Sequence, residues 1–157
     1  MRNIFLFLGK TRESFLAQGV EEYTKRLMRY APVELKVIKE KKGAGGKLPV
    51  DELKREEGLL LLKHISQPTL VVALDQGGRR MNSVDFSEQL FQWENQGQKT
   101  ITFLIGGPNG LSVDILGRSD LTLSLSDMTL THEMARLLIL EQVYRAYTIK
   151  AGTGYHK

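Results

Sequence analysis

Residues 100–110 have the sequence Thr-Ile-Thr-Phe-Leu-Ile-Gly-Gly-Pro-Asn-Gly. An apolar run that ends in a glycine loop is typical of a buried strand in a parallel sheet. Three glycines in five residues let the backbone reach positive φ and approach a ligand closely. The end of this strand is therefore the first candidate for a binding site. The alternative is a tight turn between a strand and a helix that binds nothing.

Strands and helices alternate along the rest of the chain. The apolar patterns predict strands at 3–9, 33–39, 69–74, 100–105 and 121–125, and helices at 12–30, 51–65, 83–95, 112–116 and 131–148. Gly77-Gly78 is expected to form a turn, and Ser83 to cap the third helix. This pattern predicts one α/β domain over 1–157, a mostly parallel sheet covered by helices on both faces. Such sheets bind ligands at the carboxyl ends of their strands, so the loops after Leu74, Ile105 and Leu125 should meet.

The composition limits the classes of protein that remain. The chain has 157 residues, 41% hydrophobic and 25% charged, as a globular domain has. It has no cysteine, which excludes disulfides, thiolate metal sites and cysteine nucleophiles. Its three histidines match no metal motif, so no metal site is predicted. The apolar start at 4–8 is too short for a signal peptide or a membrane span. We expect a cytoplasmic protein with no membrane partner.

Positive charge is concentrated in the first third of the chain. Residues 1–47 contain 11 Lys or Arg and 5 Asp or Glu, whereas residues 48–157 contain 11 and 13. A basic face suits RNA, whose phosphates attract Lys and Arg, although a solvated surface explains it equally well. The Gly-Lys-rich segment 41–47 lacks the Ser or Thr of a phosphate-binding loop, because Leu48 follows the lysine. A flexible basic loop is the better interpretation.

Residues 125–132 form the second candidate site. Their sequence, Leu-Ser-Asp-Met-Thr-Leu-Thr-His, joins a predicted strand to the last helix. Apolar side chains among small polar ones can form a slot with backbone hydrogen bonds, which suits an adenine ring. The alternative is an ordinary helix entry with Thr131 as the N-cap.

The last helix and the chain end supply further candidates. Apolar residues surround the helix, so we expect the sheet on one side and another subunit on the other. Glu141 and Arg145 are spaced to pair on it. The chain ends in Tyr155-His156-Lys157, which can stack on a base, move a proton and contact a phosphate. The alternative is a frayed terminus.

Taken together, these motifs resemble the RlmH family, SPOUT-class methyltransferases that methylate N3 of a pseudouridine in bacterial 23S ribosomal RNA. The resemblance rests on 105–111, 125–132, 141–146 and 155–157, and it extends over the whole chain. One position departs from the family pattern, since Thr131 stands where the family usually has proline.

The resemblance implies a carboxyl-terminal trefoil knot and S-adenosyl-L-methionine as the methyl donor, without a metal. The residues implied to hold the donor are Leu74, Gly106, Leu125, Ser126, Asp127, Met128, Thr129 and Leu130. It further implies a homodimer in which the tail of one subunit completes the site of the other. The implied partner is 23S rRNA within the ribosome, and not DNA.

The chemistry of N3 suggests a role for each remaining candidate. His156 and Tyr155 are expected at the target base, Arg145 at the developing oxyanion and Glu141 beside Arg145. His132 is the rival general base. Arg136 and Lys157 are expected to contact RNA. Two other functions stay open: a SPOUT methyltransferase acting on tRNA, and a non-catalytic RNA-binding or ribosome-assembly protein.

Overall fold

The computed structural model describes residues 1–40 and 48–157. The basic loop predicted at 41–47 lies outside the described residues. Five strands and five helices alternate in the described part: β1 (Arg2–Leu8), α1 (Ser14–Leu27), β2 (Val33–Ile38), α2 (Val50–His64), β3 (Leu70–Arg80), α3 (Ser83–Asn95), β4 (Thr100–Ile105), α4 (Val113–Gly117), β5 (Leu121–Ser124) and α5 (His132–Lys150).

All strand pairs are parallel, and the sheet order is β2-β1-β4-β3-β5. The predicted α/β class and parallel sheet are confirmed, whereas the trefoil knot stays a prediction. In the described ranges, no helix is long and apolar enough to cross a membrane.

Helices cover both faces of the sheet, which explains the unbroken apolar runs of the inner strands. On one face, Phe5 stacks on Phe103 with ring centroids 5.0 Å apart, in a core shared with α1, α3 and α5. On the other face, Leu6 and Leu104 pack with Leu61 and the residues of α4. Because the strands are parallel, β4 and β5 end at the same edge of the sheet, next to residue 74 of β3.

Helix α5 packs between α1 and α3 of the same chain. These two helices and the sheet bury the inward residues of α5, among them Ile139, Val143 and Ala146. Neighbours within the same chain therefore explain much of the apolar pattern of α5. A second subunit, which was expected to explain it, is required at most for the remaining outward face.

Strand β3 differs from its prediction. It continues through Asp75 to Arg80 instead of turning at Gly77-Gly78. A register shift against β5 between Leu74 and Arg79 accommodates the extra residues. Glycine permits the close approach of the two strands here, since a Cβ on Gly78 would lie 2.7 Å from the backbone of Thr122.

The cap of helix α3 also differs from its prediction. The N-cap is Asn82, whose side chain accepts a hydrogen bond of 2.8 Å from the backbone N–H of Asp85. Ser83 is the first residue of the helix. An Asn side chain is a strong N-cap, which explains why the helix begins at Ser83, one residue earlier than a Ser83 cap implied.

Candidate functional site

A cavity of about 370 Å³ lies at the carboxyl ends of β4 and β5, beside residues 74–76 of β3. The segments after Ile105 and Leu125 form part of its walls as expected, and the third part is residues 74–76 of the extended strand β3, where a loop was expected. Seven of the residues predicted to bind the donor line this cavity: Leu74, Gly106, Leu125, Ser126, Met128, Thr129 and Leu130. Sequence reasoning missed Lys54 and Gln76, which also line it. Lys54 comes from α2, and no local motif in that helix marks it.

The glycine loop after β4 folds back on itself. Gly107 and Gly110 form a β-bridge, in which the N–H of Gly110 donates to the carbonyl of Gly107 at 3.0 Å. A Cβ on Gly106 would lie 2.8 Å from the carbonyl oxygen of Gly110. Glycine at 106 is therefore required by the loop itself, independently of any ligand.

The segment after β5 is held by short polar contacts. The Ser124 hydroxyl donates to the carbonyl of Ser126 at 3.0 Å, and the Ser126 hydroxyl accepts from the N–H of Met128 at 3.0 Å. Asp127 does not line the cavity; it pairs with Arg80 at 2.5 Å. Met128 is 77% exposed, so an apolar side chain stands at the cavity mouth.

His132 lines the same cavity from the first turn of α5. Thr131 caps this helix as expected, since its hydroxyl accepts a hydrogen bond of 3.2 Å from the N–H of Met134. Burial, and then the nearby Arg136 guanidinium, lower the pKa of His132 below its usual value. The imidazole is therefore neutral at pH 7 and able to accept a proton.

The other predicted catalytic residues form a separate cluster further along α5. Oε1 of Glu141 accepts hydrogen bonds from Nε of Arg145 at 3.0 Å and from the hydroxyl of Tyr155 at 3.0 Å. The Arg145 guanidinium lies 4.8 Å from the centre of the Tyr155 ring and donates to Nδ1 of His156 at 3.4 Å. The structure thus brings together Glu141, Arg145, Tyr155 and His156, here called the tail cluster.

Helix α1 adds Tyr23, which sequence reasoning did not assign to the site. Its hydroxyl lies 3.1 Å from that of Tyr155, and the Tyr144 ring packs edge-on against both tyrosine rings. Burial raises the pKa of Tyr155, and hydrogen bonds to Tyr23 and Glu141 raise it further. The Tyr155 phenol therefore stays protonated at neutral pH and acts as a donor.

The tail cluster and the cavity do not meet within one chain. His132 and Arg145 are 13 residues apart on a continuous helix, which corresponds to about 20 Å at 1.5 Å per residue. The predicted catalytic residues are therefore divided, with His132 at the cavity and the other four near the opposite end of α5.

Arg136 lies in the protein interior, and the expectation that it contacts RNA is wrong for this structure. It is fully buried. Its guanidinium donates to the hydroxyl of Thr11 at 3.0 Å and to the carbonyl of Leu8, and it lies over the Phe7 ring. A side chain enclosed by β1 and the following loop cannot reach a phosphate, so its role is structural. Lys157, in contrast, is exposed at the chain end.

The basic first third is only partly described. Residues 1–40 contain 8 Lys or Arg and 5 Asp or Glu, so the rest of the excess comes from 41–47, outside the described residues. Several of the described cations pair with nearby glutamates, as Lys25 does with Glu21 and Arg26 with Glu22. Exposed pairs of this kind leave less positive charge available to RNA than the sequence count indicates.

The geometry of the molecule agrees with what is found among known proteins. A family model described as "Predicted SPOUT methyltransferase" matches residues 1–156. A protein from Desulfotalea psychrophila is 50% identical over the full length of both chains. Another from Trichlorobacter lovleyi is 40% identical over 99% of each chain. Both are named "Ribosomal RNA large subunit methyltransferase H". This chain belongs to the SPOUT methyltransferase family, as a member of the group that includes these two proteins.

Two solved structures show the same fold at low sequence identity. A "probable methyltransferase" from Bordetella pertussis has a TM-score of 0.58 over 93% of this chain and 96% of its own. A "probable methylase family protein" from Haemophilus influenzae has a TM-score of 0.54 over 99% of this chain and 70% of its own. Each is 12% identical to this chain, so the likeness concerns the fold alone.

Proposed function

We propose that this protein transfers the methyl group of S-adenosylmethionine to N3 of a pseudouridine in 23S rRNA, on the large ribosomal subunit in the cytoplasm. The observation that carries the proposal is the cavity at the ends of β4 and β5, beside the middle of β3, in a chain whose full-length relatives are named for large-subunit rRNA methylation. The pseudouridine and its N3 come from the resemblance of the motifs to the RlmH family.

The residues around the cavity fit S-adenosylmethionine. Its volume lies within the roughly 300–1,000 Å³ of ligand sites. Leu74, Leu125 and Leu130 supply apolar wall for a purine ring, and the backbone of the loop at 106–110 supplies hydrogen-bonding groups. When bound, the donor supplies a methyl group on a positive sulfur, which keeps the bonding electron pair as the methyl passes to N3.

The described side chains account for the proton and the charge that this transfer creates. N3 of pseudouridine becomes a good nucleophile only when its proton leaves, so a neutral base is needed. His132 and His156 are the two candidates for that base. The Arg145 guanidinium can donate to the carbonyl oxygens on which negative charge develops. The Tyr155 hydroxyl donates to Glu141, which holds the tail so that the Tyr155 ring can stack on the target base. Glu141 orients Arg145, and Lys157 contacts a phosphate.

We further propose that the enzyme works as a homodimer in which the tail cluster of one subunit faces the cavity of the other. The separation of about 20 Å along α5 supports this arrangement, because N3 must come within about 3–3.5 Å of the methyl group while touching the tail. The outward face of α5, with half-buried Leu138, Glu141 and Arg145, is the surface proposed to meet the partner.

Methyl transfer to ribosomes and to tRNA would test the proposed substrate. The protein is incubated with tritiated S-adenosylmethionine and either 70S ribosomes or tRNA, and the labelled nucleoside is identified by mass spectrometry. The proposal predicts N3-methylpseudouridine from 23S rRNA. Label in tRNA alone would favour a tRNA enzyme. No label, together with no affinity for S-adenosylmethionine, would favour an RNA-binding protein without catalysis.

A further inference from the structure

A second, smaller cavity lies beside the first. Its volume is about 250 Å³, and it shares Pro108, Asn109 and His132 with the main cavity. The rest of its wall contains Arg12, Glu40, Leu53, Glu57 and Glu133. The loop at 106–110 thus borders both cavities, so a ligand in the main cavity has a neighbouring space into which one end can extend.

Two of the three carboxylates in this side cavity are already engaged. Oε2 of Glu133 accepts from the N–H groups of Arg12 and Glu13 at 3.0 and 3.1 Å. Glu40 pairs with the exposed Arg12 guanidinium at 3.6 Å. Glu57 is different. It is 6% exposed, and its Oε2 has no hydrogen-bond partner among residues 1–40 and 48–157.

Glu57 lies directly behind the glycine loop. A Cβ on Gly107 would be 3.8 Å from Oε2 of Glu57, so the carboxyl group faces the loop that borders both cavities. Burial, and then the charge of Glu40, raise the pKa of Glu57. A buried carboxyl group without a partner is unfavourable, and a donor or cation that reached it would be bound strongly.

We propose that Glu57 binds the α-ammonium group at the amino-acid end of S-adenosylmethionine. The inference rests on the proposed function, because it requires the donor in the main cavity. An ammonium group is a compact cation with three N–H donors and no acceptor, which matches a lone carboxylate oxygen. The positively charged guanidinium of Arg12, at the rim of the side cavity, can pair with the α-carboxylate of the donor. Glu57 is thus a ligand-binding residue for the donor.

The test compares two ligands and three proteins by calorimetry. The ligands are S-adenosylhomocysteine and its deamino analogue, which has hydrogen in place of the amine. The proteins are the wild type, Glu57→Gln and the control Glu52→Gln, an exposed position on the same helix. We expect Glu57→Gln to raise the Kd of S-adenosylhomocysteine at least about tenfold and to leave the Kd of the deamino analogue unchanged. Glu52→Gln should change neither affinity.

The outcomes separate this inference from the proposed function. Suppose that the wild type binds S-adenosylhomocysteine. The ammonium contact is then refuted if Glu57→Gln weakens the binding of both ligands equally, or if it weakens the binding of neither. If the wild type binds neither ligand, the donor site itself is refuted, and the inference with it. Should Glu57→Gln not fold, the wild type alone decides, because it must bind the deamino analogue at least about tenfold more weakly.

Discussion

The hydroxyl group of Tyr155 donates a hydrogen bond of 3.0 Å to Oε1 of Glu141, fourteen positions earlier in the chain. The same oxygen accepts from Nε of Arg145. One carboxylate therefore fixes both the aromatic ring of the tail and the guanidinium of α5. This arrangement ties the chain end to a rigid helix, whereas a frayed terminus would have left the Tyr155 ring free of the Glu141–Arg145 pair.

Replacing Tyr155 by Phe should lower methyl transfer without affecting the donor. The variant keeps the ring but loses the hydroxyl whose hydrogen bond to Glu141 holds the tail in place. We expect kcat to fall about tenfold or more, with an unchanged Kd for S-adenosylmethionine, because the tail is proposed to contact the target base and not the donor. Single-turnover rates and calorimetry measure the two quantities. Loss of donor affinity would contradict the proposed role.

Tyr23→Phe should have a smaller effect of the same kind. Tyr23 is 3.1 Å from the Tyr155 hydroxyl and acts through it as a positioning residue. We expect a decrease in kcat of a few-fold, since one neutral hydrogen bond contributes about 0.5–1.5 kcal/mol. The double variant Tyr23→Phe/Tyr155→Phe should be no slower than Tyr155→Phe alone. Additive losses in the double variant would show that the two hydroxyls act independently.

The lowered pKa of His132 makes stability depend on pH in a definite direction. Between that pKa and the ordinary value of about 6.5, the unfolded chain binds a proton that the folded chain does not. Stability from this residue is therefore complete above about pH 6.5 and decreases as the pH falls toward the folded pKa. Urea unfolding of the wild type and of His132→Asn isolates the effect. An NMR titration of His132 that gave 6.5 or higher would contradict it.

Arg136 and Lys157 should respond to substitution in opposite ways. Arg136→Met removes the donors to Thr11 and Leu8, and should lower the free energy of unfolding by about 1–3 kcal/mol. Lys157→Ala should leave stability unchanged but weaken binding to ribosomal RNA, and reduce the slope of log K against log salt by about 1. Urea unfolding and salt-dependent binding measure the two. A stable Arg136→Met variant with a reduced salt slope would restore its role in RNA contact.

Much of the fold follows from local patterns. Apolar runs such as 100–105 predicted strands buried on both faces, and the spacing of Glu141 and Arg145 predicted their pair. The continuation of β3 past Gly77-Gly78 could not be predicted, because it depends on the approach of β5, a long-range partner. The two-glycine pattern alone favours a turn.

The candidate site was predicted less completely than the fold. The loops after Leu74, Ile105 and Leu125 were expected together because parallel strands end at one edge. The burial of Arg136 was not predicted, because an arginine among apolar residues gives no local sign of whether it faces outward or inward. Lys54, Tyr23 and Glu57 come from elements distant in sequence, so only the folded chain brings them to the site.

The most direct test of the account mixes two inactive variants. The first variant, Thr129→Trp, fills the donor cavity from an exposed position in its wall. The second variant is truncated after Gly154 and lacks the tail. Val84→Trp, at an exposed position on α3, is the control for the introduced tryptophan. In a random mixture, half of the dimers contain one chain of each variant. If the cavity of one subunit works with the tail of the other, each of these heterodimers has one complete site. Unfolding and refolding the two variants together should then restore roughly a quarter of the wild-type methylation of 23S rRNA. No recovery from the mixture, with both variants folded and dimeric, would contradict a site shared between subunits.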